Sequence, residues 1–427
     1  MTVQGPENPD MNILNDQVLP IKKFDWMSAV QFGLSLITGL LYLGAAILNS
    51  LFLVLSNSGP APFLADSPTL SSFLLSAGLG LAGVLMIPSV YYSGRRLFGN
   101  SQYGSQELSI WSRIGWIFSV FPILILSGYL IQTGPEWGKI LLPLLHAAAN
   151  GTAMFWFLGL VYRRIPGVSA QRFWGIFGAG LTLVPIIAFI IEILILFTLG
   201  VIWMVVLQRQ PGLMQDLLDL INLLQPGDAG VEVIQQYMDR FISIPGVTAT
   251  IFIYIAVLVP IVEEILKPIL IWLFLGRKLT PREGFLAGAA AGAGYALFEN
   301  LTIGASPDVW TFITLSRLGT ASVHILATGM VGWGIASAGT EKKYLRLIGS
   351  FIAAVMIHGT WNGLNIVTAL AEIDPARDMA GSFWSYFLVF SPAGVLVLAL
   401  GSLIGIIWAN KQFRRAIITP STKEREG

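Results

Sequence analysis

The chain has 427 residues, of which 55% are hydrophobic and only 11% are charged, and its net charge is +1. A soluble domain carries about 25% charged residues, so this composition excludes a soluble globular protein and indicates a polytopic membrane protein. The chain has no cysteine, which excludes disulfides, thiolate metal sites and a catalytic thiol, and no basic domain, which argues against nucleic acid as a partner.

Ten apolar runs are long enough to cross a hydrocarbon core, which takes about 20 helical residues. They predict an all-α fold, a polytopic transmembrane helix bundle of about ten spans. The runs cover 29–55, 70–92, 110–131, 139–162, 173–206, 248–275, 283–304, 309–337, 345–371 and 382–408. The polar residues 1–25 do not have the shape of a signal peptide, so we expect the first run to be a retained helix.

Lysine and arginine predict the orientation of these spans, because cytoplasmic loops carry an excess of both. With both termini cytoplasmic, nineteen such residues fall on the inner side and only Lys139, Arg209, Arg240 and Arg377 fall on the outer side. We therefore expect cytoplasmic termini, and an even number of spans agrees with them.

The runs and the loops between them divide the chain into six segments. We expect a cytoplasmic N-terminal segment over 1–27, a membrane domain of about five helices over 28–206, an outer interfacial loop over 207–247, a membrane core over 248–371, a last transmembrane helix with its outer loop over 372–408, and a basic cytoplasmic tail over 409–427. The outer loop has apolar residues at helical spacing with polar residues opposite, as helices lying in a membrane interface do. Pro226-Gly227 separates two such stretches.

Ionisable and amide side chains lie at similar depth in four consecutive spans of the core. They are Glu263, Glu264, Lys267, Glu299, His324, His358 and Asn362. Each charge at the bilayer centre costs at least a few kcal/mol, so several at one level indicate a buried polar site. We expect a carboxylate of Glu263 or Glu264 to lie within one water's reach of a histidine or of Glu299.

The spacing of residues in the first of these spans predicts its local geometry. Glu263 and Lys267 are four residues apart, so they share a helix face and can pair. Pro260 and Pro268 each remove a backbone donor, so this helix is expected to be kinked at the site.

The next span carries glycine at 284, 288 and 292, a spacing that lets helices approach closely. We expect this glycine ladder to bring Glu299 near the helix of Glu263.

The polar set contains the parts for two hydrolytic schemes. A carboxylate beside a histidine can hold and deprotonate water, and a His or Asn side chain can donate to an oxyanion. Alternatively, two histidines and a carboxylate can bind zinc (Zn²⁺), which activates its own water. The residues leave both schemes open.

Four motifs resemble the PrsW family of intramembrane proteases, distant relatives of the CAAX prenyl proteases and the bacteriocin-processing enzymes. They are Glu-Glu-x-x-Lys at 263–267, Tyr-x-x-x-Glu-Asn at 295–300, a helix with the single histidine His324, and His-x-x-x-Asn at 358–362. The resemblance covers about residues 245–370. Tyr295 stands where the family usually has phenylalanine.

The resemblance implies an intramembrane endopeptidase, either a metalloprotease or a glutamate-type hydrolase, that cleaves membrane-anchored proteins in the cell membrane of a prokaryote. It implies that Glu263 and Glu264 activate the water, that Glu299 and His324 complete the water or metal site, that His358 and Asn362 serve as ligand or oxyanion donors, and that Lys267 orients the glutamates. If zinc is present, its implied ligands are His324, His358 and Glu299.

A second hypothesis is a non-proteolytic transporter or scaffold that uses the buried cluster as an ion or proton relay. Three further polar residues are expected to lie outside the site. His146 is expected to be a hydrogen-bonded core histidine near Asn150, Arg317 is expected to extend to the outer interface, and Glu192 is not placed in the active site.

Overall fold

The computed structural model describes residues 24–56, 67–99, 119–165, 169–223, 241, 244–273, 279–303, 309–373 and 383–418. Every extended regular element in these ranges is a helix. The first seven α-helices are α1 (Trp26–Ser56), α2 (Ser67–Val84), α3 (Ile87–Phe98), α4 (Val120–Gln132), α5 (Leu142–Tyr162), α6 (Ala170–Leu207) and α7 (Pro211–Leu223), with a 3-10 helix at Glu136–Leu141.

The second half of the chain begins with a broken helix and continues with four long ones. The broken helix consists of α8 (Pro245–Ile253), a π-helical segment (Tyr254–Leu258), α9 (Val259–Leu266) and α10 (Ile269–Leu273). The long helices are α11 (Pro281–Thr302), α12 (Trp310–Glu341), α13 (Tyr344–Ile373) and α14 (Phe383–Ile418).

Eight segments of the described residues are long and apolar enough to cross a membrane, which confirms the predicted helical membrane bundle. They are Trp26–Leu55, Thr69–Phe98, Trp137–Tyr162, Ala170–Leu207, Gly246–Leu266, Trp310–Glu341, Tyr344–Thr368 and Val389–Ala416. The other two predicted spans correspond to α4, which has 13 described residues, and to the Gly- and Ala-rich α11. The total of ten spans and the cytoplasmic termini stay predictions.

The predicted interfacial loop over 207–247 is described only in part. Its first amphipathic stretch forms α7, with Leu218 and Ile221 exposed. The second stretch falls mainly on residues 224–240, which lie outside the described residues, as do the N-terminal residues 1–23 and the last residues of the basic tail, 419–427.

Helices α11 and α12 form the centre of the bundle, and the glycine ladder explains how closely they pack. A Cβ at Gly284, Gly288 or Gly292 would meet the backbone carbonyl of Gly332, Thr328 or His324, all on α12. The ladder therefore packs on the helix of His324. Glu299 still lies near the helix of Glu263, as expected, because it binds His324, which binds Lys267. A four-residue glycine repeat predicts close packing but does not identify the neighbour, and here it places Glu299 beside the helix of His324.

The remaining helices surround this central pair. On another face of α11, Gly294 lies against the Phe177 carbonyl of α6, and Gly180 of α6 lies against the Ala291 carbonyl. Helix α13 packs against α12 and the π-helical segment, and α14 packs against α12, α13 and α5. Apolar side chains on α1 and on the second half of α6, such as Leu40 and Phe197, are more than half exposed, as expected of surfaces that face lipid.

Candidate active site

The helix that carries Glu263 and Glu264 is broken on both sides of them. A π-helical segment, Tyr254–Leu258, precedes α9, and a turn at Lys267 and Pro268 follows it. Proline has no backbone N–H, so Pro260 and Pro268 interrupt the helical hydrogen bonds here. These interruptions divide the span into short helices with the two carboxylates at its middle, and the predicted kink of the helix axis stays a prediction.

Asn362 compensates for one of these missing hydrogen bonds. In a π-helical pattern the carbonyl of Ile255 would accept from the residue five positions later, which is Pro260 and has no N–H. The Nδ2 of Asn362 donates to this carbonyl at 3.1 Å instead. Asn362 therefore joins α13 to the broken helix beside the carboxylates, and the second hydrogen of Nδ2 is not used by this bond.

Lys267 lies at the centre of the polar cluster. Its Nζ is 2.8 Å from Glu263 Oε2, 2.7 Å from Glu264 Oε1 and 2.6 Å from His324 Nδ1. It also lies 4.6 Å from the centroid of the Tyr295 ring. The side chain is fully buried. A buried ammonium needs partners of this kind, and in return it compensates one of the two carboxylate charges.

Glu264 is held at both of its oxygens. Oε1 accepts from Lys267 and lies 3.1 Å from His358 Nδ1, while Oε2 accepts from the Thr328 hydroxyl at 2.9 Å. The residue has no exposed surface. Because all these partners are donors to a fixed carboxylate, the arrangement suits Glu264 for positioning Lys267 and His358 rather than for contact with a substrate.

His358 and Glu263 face one another across a short gap. The Glu264 carboxylate can only accept, so in the neutral imidazole the proton of His358 lies on Nδ1 and the lone pair lies on Nε2. That Nε2 is 3.7 Å from Glu263 Oε2. Oε2 is buried and has no hydrogen bond of normal geometry among the described residues, although the Lys267 ammonium pairs with it. Glu263 Oε2 and His358 Nε2 are therefore two acceptors that face one another, and such a pair attracts a proton donor or a cation.

His324 connects this cluster to Glu299. The Lys267 ammonium can only donate, so Nδ1 of His324 accepts and its proton lies on Nε2. Nε2 is 2.9 Å from Glu299 Oε2, and the other oxygen of Glu299 is 3.0 Å from Nη1 of Arg317. Arg317 is thus paired with Glu299, and its expected extension to the outer interface stays a prediction.

All four helices predicted to share the site do bring their polar residues together. The 3.1 Å between Glu264 and His358 is well within the predicted reach of one water. The rings of His324 and His358 lie 4.5 Å apart in an edge-to-face arrangement. Each of the seven predicted residues therefore touches or adjoins the Lys267-centred cluster, and their catalytic roles stay predictions.

A cleft of about 480 Å³ leads to this cluster. Its walls come from α6, the broken helix, α11, α12 and α13. The polar residues along it are Glu192, Glu263, Tyr295, Glu299, Thr302, Ser316, Arg317, Thr320, Asn362 and Asn365. Glu299 is 34% exposed and faces this space, whereas Glu263 is only 9% exposed. The cleft therefore gives a polar molecule access to Glu263 within a bundle whose exterior is apolar.

Glu192 lines the cleft, although sequence reasoning did not place it in the active site. It lies on α6, in the fifth predicted span, and forms part of the cleft wall opposite α13. Its Oε1 is buried without a hydrogen-bond partner among the described residues. Its backbone carbonyl accepts from the Tyr254 hydroxyl at 3.1 Å, which ties α6 to the π-helical segment. The sequence signal that could have indicated Glu192 was a single charged residue in an otherwise apolar span.

His146 and Asn150 form a separate contact with the back of the site. His146 is fully buried, its Nε2 lies 3.1 Å from the Asn300 carbonyl, and Asn150 donates to the His146 carbonyl at 3.0 Å. This confirms the expectation of a hydrogen-bonded core histidine. The contact also connects α5 to the residue that follows Glu299.

Three donors of the cluster could hold a metal ion. Glu263, His324 and His358 each offer one ligand atom, and these atoms lie within 4.8 Å of one another. Two histidines with one carboxylate is a ligand set used by catalytic zinc sites, so the donor set fits zinc. Glu299, named as a ligand from the sequence, is not part of this group and binds His324 and Arg317 instead. A metal ion bound here would be held in part by Glu263 and His324, which are also the partners of the Lys267 ammonium.

Comparison with curated proteins and with solved structures gives no match. One family model does match, over a region that begins in α7 and ends in α14. The region contains all seven residues predicted from the sequence but not Glu192. Residues 220–397 of this chain are thus similar to the PrsW family intramembrane metalloproteases.

Proposed function

We propose that this integral membrane protein is an intramembrane endopeptidase that hydrolyses peptide bonds of membrane-anchored proteins, in the cell membrane of a prokaryote. The observation that supports it most is the facing pair of Glu263 Oε2 and His358 Nε2 at the inner end of a polar cleft. A water between them would donate its two hydrogens to two acceptors, which fixes its oxygen toward the cleft. The similarity of residues 220–397 to a protease family supports the same reaction.

In the proposed reaction Glu263 is the general base. Its Oε2 takes a proton from the water, and the water oxygen forms a bond to the carbonyl carbon of the scissile peptide. The carbonyl oxygen gains a negative charge, and the second hydrogen of Asn362 Nδ2 can donate to it. When the C–N bond breaks, Glu263 returns the proton to the leaving nitrogen, so one water is consumed and two chain ends are formed.

The other residues of the cluster hold these groups in place. Glu264 fixes the tautomer of His358 through Nδ1 and binds Lys267. Lys267 places its ammonium 2.8 Å from the Glu263 carboxylate and so holds the base in position. Glu299 and Arg317 fix His324, which in turn accepts from Lys267. We assign these residues positioning roles.

A metal ion would be held by Glu263, His324 and His358, as the shared position of their donor atoms suggests. When bound, zinc would polarise the scissile carbonyl and activate the water. Lys267 lies within 2.8 Å of two of these three residues, so its ammonium and a metal ion compete for the same lone pairs.

If zinc occupies this donor group, protein purified without chelators should contain about one zinc per chain, and His358→Ala well under half of this. The measurement is elemental analysis by mass spectrometry, with His146→Asn as a control because His146 is a buried histidine outside the donor group. Metal-free wild-type protein that keeps full cleavage activity would contradict a role for zinc and leave the carboxylate mechanism.

The function is tested by reconstituting the wild-type protein in liposomes with membrane-anchored proteins and a pH-sensitive dye inside. We expect fragments cut in or near a transmembrane segment, without proton flux above that of empty liposomes. Flux that depends on Glu263 and occurs without any cleavage would support the transporter hypothesis instead.

Glu192 is expected to bind the substrate rather than react with it. Glu192→Leu removes an acceptor from the cleft wall and should raise KM about tenfold with little change in kcat, since a lost hydrogen bond to a charged group is worth about 1.5–3 kcal/mol. Glu192→Gln keeps an acceptor oxygen and should stay within about threefold of wild type. Steady-state kinetics on a reconstituted substrate measures both. An unchanged KM in Glu192→Leu would remove Glu192 from the site.

A further inference from the structure

A second cavity lies at the opposite end of the bundle from the mouth of the cleft, between the end of α5 and the last turns of α14. Its volume is about 390 Å³. Four cationic side chains, Arg163, Lys411, Arg414 and Arg415, line it together with the apolar side chains of Leu160 and Ile407. We call this cavity the basic groove. It shares no residue with the candidate active site.

The groove is built by the packing of two helices. On α14, Ile407, Lys411 and Arg414 are spaced by four and three residues, so they lie on one helix face. Asn410 on the same helix donates through Nδ2 to the carbonyls of Val161 and Arg163 at 2.8 and 3.1 Å. These bonds satisfy the C-terminal carbonyls of α5 and hold Arg163 beside the cationic face of α14.

The charge in the groove is not balanced by the protein around it. No carboxylate lines the groove, and no ion pair joins any of its four cations to an acidic residue in the part of the chain that the structure describes. Like charges this close repel one another unless an anion lies between them. The groove therefore favours an anionic ligand.

The surroundings identify the kind of anion. Trp408, at the beginning of the cationic face, is 62% exposed, and the preceding Ile404 is 65% exposed. Exposed apolar residues followed by tryptophan and then by Lys and Arg mark the passage from hydrocarbon to headgroups. The apolar wall of Leu160 and Ile407 adjoins the hydrocarbon, and the cations lie at headgroup level.

We propose that the basic groove binds the phosphate of an anionic phospholipid, with one acyl chain along Leu160 and Ile407. Basic pockets between transmembrane helices on the cytoplasmic side bind such headgroups. The lipid would bridge α5 to α14 and so stabilise the attachment of the last helix, independently of any proteolysis.

The test is a titration of the full-length protein in a zwitterionic detergent, followed by thermal unfolding and by native mass spectrometry. Three additives are compared: phosphatidylglycerol, phosphatidylcholine and inorganic phosphate. The variant is Arg163→Gln/Arg414→Gln. The control is Arg164→Gln/Arg282→Gln, which removes the same charge from the same end of the bundle without touching the groove.

We expect phosphatidylglycerol to raise the midpoint of unfolding and to remain bound in the mass spectrum, with half-saturation shifted at least fivefold in the variant and not in the control. Should the variant not fold, Lys411→Gln/Arg415→Gln, two exposed positions, replaces it. Equal effects of phosphatidylcholine, or equal shifts in variant and control, would overturn the proposal. An effect of inorganic phosphate as large as that of the lipid would show a free-phosphate site and overturn the assignment to lipid.

Discussion

Glu263→Gln is expected to lower the cleavage rate by about 10²–10⁴-fold, the usual contribution of a general base. Glutamine keeps the shape of the side chain but cannot take a proton from the water. The unfolding temperature should change little, because Glu264 still compensates the charge of Lys267. Cleavage of a reconstituted membrane-anchored substrate, together with thermal unfolding, gives both quantities.

A matched control for Glu263→Gln is Glu341→Gln. Glu341 is also paired with cations, Lys343 and Arg346, but lies at the end of α12 away from the cleft. Its replacement should leave the cleavage rate within about twofold, as expected for an exposed ion pair. More than a tenth of the wild-type rate in Glu263→Gln would exclude Glu263 as the base.

Lys267→Met is expected to have the largest effect on stability, a loss of about 3–5 kcal/mol in the free energy of unfolding. Removing the ammonium leaves Glu263 and Glu264 as two buried carboxylates with no other lysine or arginine in an ion pair with them among the described residues. Methionine has a similar length, so lost packing contributes little. Unfolding in detergent at increasing denaturant measures the loss.

A double variant distinguishes whether Lys267→Met loses stability through unpaired charge or through poorer packing. Lys267→Met/Glu264→Gln removes one of the unpaired carboxylates and should recover a large part of the stability, while the exposed Lys343→Met should cost less than about 1 kcal/mol. If Lys267→Met were as stable as wild type, the Lys267-centred arrangement of the site would be wrong.

The sequence was sufficient to predict the helical bundle and the composition of the cluster. Charged residues in apolar spans are few, so Glu263, Glu264, Lys267, Glu299, His324 and His358 stood out by residue type alone. Their approach to one another followed from their common depth. Pairing within the helix, between Glu263 and Lys267, followed from a spacing of four.

Contacts between helices could not be predicted in the same way. Helical periodicity shows which residues share a face but not which neighbour that face meets. The glycine ladder therefore did not identify α12 as the helix that it contacts, and Thr328, a neutral residue that donates to Glu264, gave no signal. The ion pair of Arg317 with Glu299 gave no signal either, because the two residues lie on different helices.

The different environments of the two adjacent glutamates, on which their proposed roles depend, could not be predicted from the sequence. Glu263 and Glu264 are equivalent in the sequence motif, but Glu264 is enclosed by three donors whereas Glu263 faces the cleft. Adjacent residues on a helix point about 100° apart, so Glu263 and Glu264 on α9 face different surroundings. Asn362 likewise donates a hydrogen bond to the Ile255 carbonyl. This bond could not be predicted from the sequence, because it depends on the π-helical segment.

In the proposed function, water held by Glu263 and His358 cleaves peptide bonds within the membrane. Membranes containing either wild-type protein or Glu263→Gln are incubated in water labelled with oxygen-18, and membrane-protein fragments are sequenced by mass spectrometry. We expect wild-type membranes to yield fragments that end in or near transmembrane segments and carry one labelled oxygen at the new carboxyl terminus, and the variant to yield none. The same labelled fragments at equal abundance in both membranes, or no such fragments in either, would contradict it.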